Sequence, residues 1–495
     1  MSKLIIQNGN MCELDLPLKF AQKLYNEFAL RHPNAFYLRT RQRGMQNWDG
    51  KIHYITKTGQ FKIGLLPKVY DMCIEMGVKP KVVDMRQPLP KVSKVVTNIG
   101  KYKLRPEQEK AVKSVINNRV GDTPFHIGVL DYTVNAGKTL IMSSLYLTYK
   151  KQLKTLLITN DSDWLNQARE EFKQYLPGED ITFVQGKVLN WSNFTIGMVQ
   201  SISRNMRFYQ KELSQIDMVL VDEADQGGSK QYQNVITRLF NTRIRIGLSG
   251  TIYMSKLAKD KVKNMNLECF FGKVIAEFKL KDSIKKGYST KTIVKMVPGK
   301  PWYGNWESDC ISYKEIYDDS ITENNTAWTM AYNRLRWNIN QGRYPALVVC
   351  KHIAHCENLY KFFKKKLGDA YNIAYVHVNT PSKLRQQIMR DFREGKIDIL
   401  VSTTIIARGK NFPKLRYLLN AASMDSQEKS IQFLGRLVRT DESKNKVYLD
   451  DLHYPGNYLD RHGKHRKQYY QRQELKVILL DKLWKKHPNH SLIKS

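Results

Sequence analysis

The stretch Asp131-Tyr-Thr-Val-Asn-Ala-Gly-Lys-Thr139 constrains this chain more than any other. Leu140, Ile141, Ser144, Leu145 and Leu147 follow it at near-helical spacing, so the run sits where a loop opens a helix. A triphosphate needs backbone N–H donors at close range, a cation, and a hydroxyl that can sit on Mg2+. Gly137 lets the backbone approach, Lys138 supplies the charge and Thr139 the hydroxyl, with Ala136 completing the Ala-Gly-Lys-Thr run. Tyr132 occupies the place usual for a first glycine, and Asn135 that of a mid-loop glycine. Asparagine enters the left-handed region more readily than most residues, so the loop is feasible. By itself the run could be an ordinary helix start.

A second feature favours the phosphate reading. Val219-Leu-Val221 runs into Asp222-Glu223-Ala224-Asp225, an apolar strand ending in acids that could hold Mg2+ and polarise water. A solvated acidic turn is the blander alternative. Ahead of the loop, Leu104 to Val112 opens a helix; the amide of Gln108 can read both edges of an adenine, with Arg105 nearby. Beyond the loop, strands alternate with helices, the pattern of a parallel sheet covered on both faces. Thr155–Thr159 is a strand followed by a turn at Asn160. Phe194–Val199 ends in Gln200-Ser201, and Ile244–Leu248 leads into Ser249-Gly250-Thr251. Polar residues just past such strand ends are where ligands bind.

A similar second lobe begins near Ser283. Ala346–Cys350 leads to Lys351-His352, and Asp398–Val401 leads through Ser402-Thr403-Thr404 to Arg408-Gly409. Tyr417–Asn420 precedes a helix with Gln432, Gly435, Arg436 and Arg439. Arg436 and Arg439 share a helical face and could stabilise charge on a γ-phosphate, or be exposed helix cations. His352, His355 and Cys356 resemble a ligand cluster, but without a fourth partner packing or a nucleic-acid-facing loop is favoured over a metal.

Residues 1–90 read as a small separate α/β domain, with Ala21, Leu24, Tyr25 and Phe28 on one helical face. Phe36 to Arg43 reads as a strand presenting Arg39, Arg41 and Arg43 on one face, Asp49-Gly50 as a hairpin turn, and Lys51–Ile55 as the return strand. Trp48 adds a ring beside the arginines, a surface suited to phosphate contact and base stacking; the alternative is a solvated strand face with Trp48 in the core. Charge bears on the choice. Lys and Arg number 81 against 46 acids, a formal net charge of +35 that favours a polyanion, most simply nucleic acid. A helix starts at Pro67, and a basic linker is expected from Lys81 to Gly100. The six cysteines form no CxxC pair, and no run has secretory or membrane character, so neither a zinc site nor a disulfide framework is expected and the setting is a reducing cytoplasm.

The ordered set Gln108, Ala136-Gly-Lys-Thr139, Asp222-Glu-Ala-Asp225, Ser249-Gly-Thr251, Arg408-Gly409 and Gln432-x-x-Gly435-Arg436-x-x-Arg439 resembles the superfamily 2 helicases and translocases over about residues 100 to 450. Asn47-Trp-Asp-Gly-Lys-Ile52, Gly64-Leu-Leu-Pro-Lys-Val69 and Val349-Cys-Lys-His352 are similar to segments of the UvsW-type helicases of T-even phages, with a distant likeness to the XPB group of repair translocases. The resemblance implies an α/β protein: two tandem RecA-like parallel-sheet lobes, at 101–282 and 283–455, a nucleic-acid-binding domain at 1–90, and a basic C-terminal tail at 456–495. The tail could add affinity for phosphate through cations such as Arg466, Lys485 and Lys486, or dock as a helix on the second lobe.

The same resemblance implies ATP and Mg2+ as cofactors and DNA as partner, branched, duplex or single-stranded, with RNA–DNA hybrids open. Phage recombination or replication proteins would be partners too, in the cytoplasm of an infected host. Lys138 would bind the β- and γ-phosphates, Thr139 and Asp222 the Mg2+, and Glu223 would activate water. Arg105 and Gln108 would bind the adenine end, with Asn135, Ala136, Gly137 and Gly409 also around the nucleotide. Arg436 and Arg439 would be arginine fingers with Gln432 near the γ-phosphate; Asp225, Ser249 and Thr251 would couple hydrolysis to motion. Asn160, Gln200, His352 and Thr403 would touch the strand. Asp225 stands where this branch commonly has His, matching DEAD-box RNA helicases, yet Ser249-Gly-Thr251 and Gln432-x-x-Gly-Arg depart from that RNA family. The function implied is unwinding or branch migration of DNA forks and junctions in phage recombination, repair or replication. The alternatives are an RNA-directed ATPase such as a termination factor, the motor subunit of a restriction or packaging machine, and a non-hydrolysing DNA-annealing protein.

Overall fold

The computed structural model describes residues 2–41, 45, 47–149, 152–160, 162–186, 188–252, 260–299, 312–407, 412–425, 430, 433–435, 437–441 and 444–480. Arg43, Gly409, Gln432 and Arg436, all expected at functional sites, lie outside the described residues, as do Lys485 and Lys486. Backbone contacts divide the chain into two compact units, Met1–Phe278 and Lys279–Ser495.

Unit 1 begins with β1 (Lys3–Ile6), β2 (Met11–Asp15), α1 (Leu18–Glu27), β3 (Ala29–Arg31), α2 (Ala35–Arg41), β4 (Lys51–His53), β5 (Gln60–Lys62), α3 (Leu66–Glu75) and β6 (Lys81–Asp84). The strands β5-β2-β1-β6 form one sheet. Leu4, Ile6, Cys12 and Leu14 alternate inward, and Leu24, Val69 and Cys73 face them from the helices. The start of the expected linker is strand β6, which pairs in parallel with β1 from Lys3↔Lys81 to Ile6↔Asp84.

The arginine strand is corrected. Residues 35–41 form helix α2, so Arg39 and Arg41 lie about 200° apart around it rather than on one pleated face. The return strand pairs instead with residues 29–31, in the register Ala29↔His53, Leu30↔Ile52 and Arg31↔Lys51. With that edge taken, residues 35–41 satisfy their backbone groups locally as a helix. Asp49 makes no two-residue hairpin. Its carboxylate accepts from the Lys51 N–H at 2.9 Å and faces His53 Nε2 at 2.7 Å, a turn that leads into β4.

The first sheet is built from β7 (Ile127–Tyr132), β8 (Thr155–Thr159), β9 (Ile181–Gln185), β10 (Val188–Leu189), β11 (Phe194–Met198), β12 (Met218–Asp222), β13 (Ile244–Ser249) and β14 (Val274–Phe278). Their order is β10-β9-β11-β8-β12-β13-β7-β14, and every pair is parallel except β9 with β10. Strands β7, β8, β11, β12 and β13 are buried at every residue, as a sheet covered on both faces requires. Helices α4 (Pro106–Ile116), α5 (Lys138–Thr148) and α6 (Ser162–Tyr175) connect and flank them.

The N-terminal segment, expected as a separate domain, shares one apolar core with this sheet, running from Leu4 and Leu24 to Val219, Leu239 and Phe271. A Cβ on Gly64 would lie 2.1 Å from the Glu268 carbonyl oxygen, so only glycine permits the approach to helix α7 (Lys261–Phe271). Arg245, fully buried on β13, donates to Gly9 O at 2.6 Å, Asn10 Oδ1 at 2.8 Å and Phe270 O at 3.2 Å. Burial pulls its pKa down to about 9. Tyr54 Oη adds a 2.9 Å bond to Asn266 Oδ1.

Unit 2 centres on β15 (Lys291–Pro298), β16 (Ala346–Cys350), β17 (Ile373–Val376), β18 (Ile399–Thr403), β19 (Tyr417–Asn420), β20 (Lys446–His453) and β21 (Lys476–Leu479), ordered β17-β18-β16-β19-β20-β15-β21 and parallel throughout. Its helices include α8 (Asn325–Ile339), α9 (Ile353–Leu367) and α10 (Asn457–Arg472). The described part of the expected tail is therefore helix α10 and edge strand β21. Arg466, expected among phosphate-binding cations, is 1% exposed and pairs with Asp451 at 2.8 Å. Two neighbouring carboxylates on β20 are buried and hydrogen-bonded. Asp450 accepts from Arg334, Asn338 and Tyr417, and Asp451 from Arg466, Tyr470 and Asn420. Each unit is thus a parallel-sheet lobe of the RecA-like kind. No described helix is long and apolar enough to cross a membrane.

Candidate nucleotide site

Three neighbouring strands of unit 1 end at one edge of the sheet, and each delivers one part of the site. Strand β7 runs into the loop 133–137 and then α5; β12 ends in Asp222; β13 ends in Ser249. Asp222 is level with Leu248, and Ser249 with Asp131. Motifs about ninety and twenty-five residues apart in the chain are thereby placed side by side.

The loop has the backbone that phosphate binding needs. Asn135 has φ +64° and Gly137 φ +72°, both left-handed, and the N-terminus of α5 follows at Lys138 with Thr139 next, both half-buried. Consecutive turn N–H groups and a helix N-terminus then converge on one region. A Cβ on Gly137 would fall 2.3 Å from Gln108 Nε2.

Gln108 is fully buried, and both ends of its amide are used by the chain. Oε1 accepts from the Arg105 N–H at 2.8 Å, and Nε2 donates to the Ala136 carbonyl at 2.8 Å. Arg105 Nη1 reaches the Asn135 carbonyl at 3.4 Å. Both residues expected at adenine therefore hold the phosphate loop to the start of α4. Tyr132, in the place of a first glycine, is a strut that sequence reasoning missed: its buried Oη donates to Glu107 O at 2.8 Å. A tyrosine hydroxyl at the end of a fully buried strand was the available signal.

Asp222 and Asp225 are buried, and Glu223 is half-buried in a left-handed conformation at φ +52°. Ser249 Oγ donates to Asp225 Oδ1 at 2.8 Å and lies 3.0 Å from Thr251 Oγ1. A Cβ on Gly250 would sit 3.1 Å from both Thr133 Cα and Tyr132 O, so the Ser-Gly-Thr turn packs directly on the base of the phosphate loop. The acids and the loop are thus mechanically joined through one turn. Tyr232, also missed by sequence, is 1% exposed, and its hydroxyl has no hydrogen-bond partner among the described residues. Burial, then the charges of Glu223, Asp222 and Asp225, hold its phenol well above the usual range, so it remains a neutral donor.

The strand-contact candidates fall at two sheet edges. In unit 1, Gln200 Nε2 donates to Asn160 O at 3.3 Å, joining the ends of β11 and β8. In unit 2, Thr403 closes β18 beside Cys350 of β16, with His352 two residues further on. Burial and the Lys351 charge lower the His352 pKa, leaving a neutral ring edge-on to Tyr317. His355 and Cys356 are core residues: burial takes the imidazole pKa down to about 3, and its Nδ1 meets Tyr317 Oη at 3.3 Å. Trp48 is half-buried, donating to Lys51 O at 3.0 Å, while Arg39 and Arg41 are exposed.

A left-handed phosphate loop, an acidic strand end and a Ser-Gly-Thr turn on adjacent parallel strands have the geometry of a nucleoside-triphosphate site of the P-loop class. Comparison with known families agrees. The family described as type III restriction enzyme, res subunit, matches residues 101–254, and the helicase conserved C-terminal domain matches residues 331–441. The chain is 21% identical to the ATP-dependent DNA helicase UvsW of enterobacteria phage T4, over 88% of its own length and 90% of that protein. A crystal structure of T4 UvsW covers 97% of this chain and 98% of that one at 18% identity and a TM-score of 0.44. The DNA-bound type ISP restriction-modification enzyme LlaBIII aligns over 82% of this chain and 34% of that one, at 15% identity and a TM-score of 0.57. Yeast (S. cerevisiae) Dbp5 bound to RNA aligns over 77% of this chain and 92% of that one, at 14% identity and a TM-score of 0.52. The chain belongs to the superfamily 2 helicases and is an ATP-dependent enzyme of that group.

Proposed function

We propose that this helicase acts on branched DNA, coupling ATP hydrolysis to unwinding or branch migration of forks and junctions during phage recombination, repair or replication. The observation that carries the proposal is the junction at Gly250, where the turn that bonds Asp225 also packs on the phosphate loop. Such a turn transmits the state of the γ-phosphate along the sheet edge that carries Asn160 and Gln200. In this reading Lys138 binds the β- and γ-phosphates, and Glu223 orients the attacking water. Arg439 and Arg436 stabilise charge on the γ-phosphate with Gln432, and Gly409 lies near the nucleotide. Arg105 and Gln108 act on the nucleotide through the loop they hold. Thr139 and Asp222 offer only hard oxygen donors, which fit Mg2+; that ion would neutralise phosphate charge.

Two features support DNA over RNA. The chain spans 90% of the length of a DNA helicase, and its Ser-Gly-Thr turn departs from the DEAD-box pattern. Asp225 and the fold shared with RNA-bound Dbp5 favour the second reading, an RNA-directed ATPase. In either reading the setting is the cytoplasm of the host cell. Steady-state ATP hydrolysis measured with no nucleic acid, single-stranded DNA, duplex, a four-way junction and RNA separates the two, with Lys138→Ala as the blank. Strongest stimulation by the junction is expected. Stimulation by RNA alone would overturn the DNA reading, and rates equal to the blank throughout would leave a binding protein.

A further inference from the structure

Residues 433–435 and 437 are helical, and Arg439 follows in irregular backbone. The last carbonyls of a helix have no partner within it, so the backbone of Arg439 takes its position from whatever bonds those carbonyls. Three consecutive carbonyls at and just past this helix end are held from outside it. Lys444 Nζ donates to Leu437 O at 3.1 Å and to Leu415 O at 2.9 Å. The Thr290 N–H donates to Val438 O at 2.8 Å, and Thr290 Oγ1 donates to Arg439 O at 3.1 Å. Both clamps are buried, Thr290 to 5% and Lys444 to 8% exposure. Thr290 is itself anchored, since it follows Ser289, whose hydroxyl meets Ser283 Oγ at 2.8 Å and whose N–H bonds Ser283 O. Leu415 and Thr290 lie just ahead of β19 and β15, so the sheet sets where this segment runs.

We infer that Thr290 and Lys444 are positioning residues for Arg439, fixing the three carbonyls from Leu437 to Arg439 so that the guanidinium is presented without a search through backbone conformations. The inference rests on the proposed role of Arg439 at the γ-phosphate. A residue that acts through developing charge must be held in place in advance, and a displacement near 1 Å is enough to slow the reaction. A buried ammonium is a costly helix cap where water would serve, and burial takes the Lys444 pKa down to about 8, with Asp441 opposing and Arg416 adding to the shift. Charge-assisted bonds to both carbonyls weaken as that proton leaves.

The test uses the full chain with saturating ATP and stimulating DNA. Thr290→Val keeps the N–H bond to Val438 and removes the hydroxyl bond to Arg439; Lys444→Met removes both ammonium bonds. Each is expected to lower kcat roughly 10-fold, to leave ADP affinity and the KM for ATP within about 2-fold, and to weaken ADP–aluminium fluoride binding relative to ADP. Thr290→Ser and Lys444→Arg should recover most of kcat. The wild-type rate should fall as pH rises through about 8, while Lys444→Arg stays flat. Unfolding does not produce that fall: with a native pKa below the usual 10.5, the unfolded chain binds more protons between about 8 and 10.5, so the Lys444 contribution to stability rises with pH there. Melting curves identify a variant that fails to fold, and the Thr290 pair then carries the test. Lowered stability with unchanged kcat would make the clamps mere helix caps and overturn the inference. Arg439→Ala separates the two levels. If it slows turnover and the clamp variants do not, the clamp alone is wrong; if it leaves turnover intact, the arginine-finger reading falls and the inference with it.

Discussion

At the residue scale, the phosphate loop shows how a departure from the usual glycine pattern is accommodated. Asn135 takes φ +64°, a conformation in which a β-carbon is costly unless the side chain is asparagine or aspartate. Asn135→Gly should therefore leave the KM for ATP near wild type. Asn135→Ala should raise that KM several-fold and lower stability by about 1 kcal/mol, read from denaturant unfolding. Equal behaviour of the two variants would place the effect in the side-chain amide rather than the backbone. Tyr132 is the converse case: a large ring stands where glycine is usual because it reaches back 2.8 Å to Glu107 O and braces α4. That role was not legible in sequence, since the partner is a main-chain carbonyl twenty-five residues away. The use of both ends of the Gln108 amide on Arg105 and Ala136 was hidden for the same reason.

At the element scale, the buried strands were legible and the arginine-bearing segment was not. Thr155–Thr159 and Ala346–Cys350 coincide with their expected spans, because an apolar run between turns has few other ways to be buried. Residues 35–41 had alternating arginines but no partner strand, and they became α2 once β3 took the edge of β4. Alternation constrains a strand only where one face is buried. A nucleic-acid role proposed for this segment would fall unequally on its two described arginines. Arg39 lines a cavity of ≈ 630 Å³ with Arg31, Phe36 and Lys51, whereas Arg41 stacks 5.0 Å over the Tyr37 ring on another side of the helix. Arg39→Glu should therefore weaken fork-DNA binding more than Arg41→Glu. The double reversal should reduce the salt dependence by about 2 in slope if two phosphate contacts are lost. Unchanged affinity and slope in titrations across salt would remove α2 from the DNA surface.

At the scale of the whole molecule, the N-terminal segment forms one compact unit with the first lobe because the two share a core. Arg245 ties that core to the β1–β2 turn through two carbonyls and an amide oxygen. Arg245→Leu would strand Gly9 O, Asn10 Oδ1 and Phe270 O. It should cost about 3 kcal/mol in denaturant unfolding and raise hydrogen exchange at residues 7–10. An unchanged unfolding midpoint would show that the apolar contact alone holds the segment. Sequence by itself determined the two parallel-sheet lobes, the phosphate loop, the acidic strand end and the class of chemistry. These depend on local periodicity and on residue types that phosphate binding cannot replace. Only the tertiary structure decided that residues 1–84 belong to the first lobe, that Arg466 is a core ion pair rather than a tail cation, and that Gly250 joins the acids to the loop. Each of these follows from a contact between segments far apart in the chain, where the partner is a backbone atom or a buried charge that no local pattern encodes.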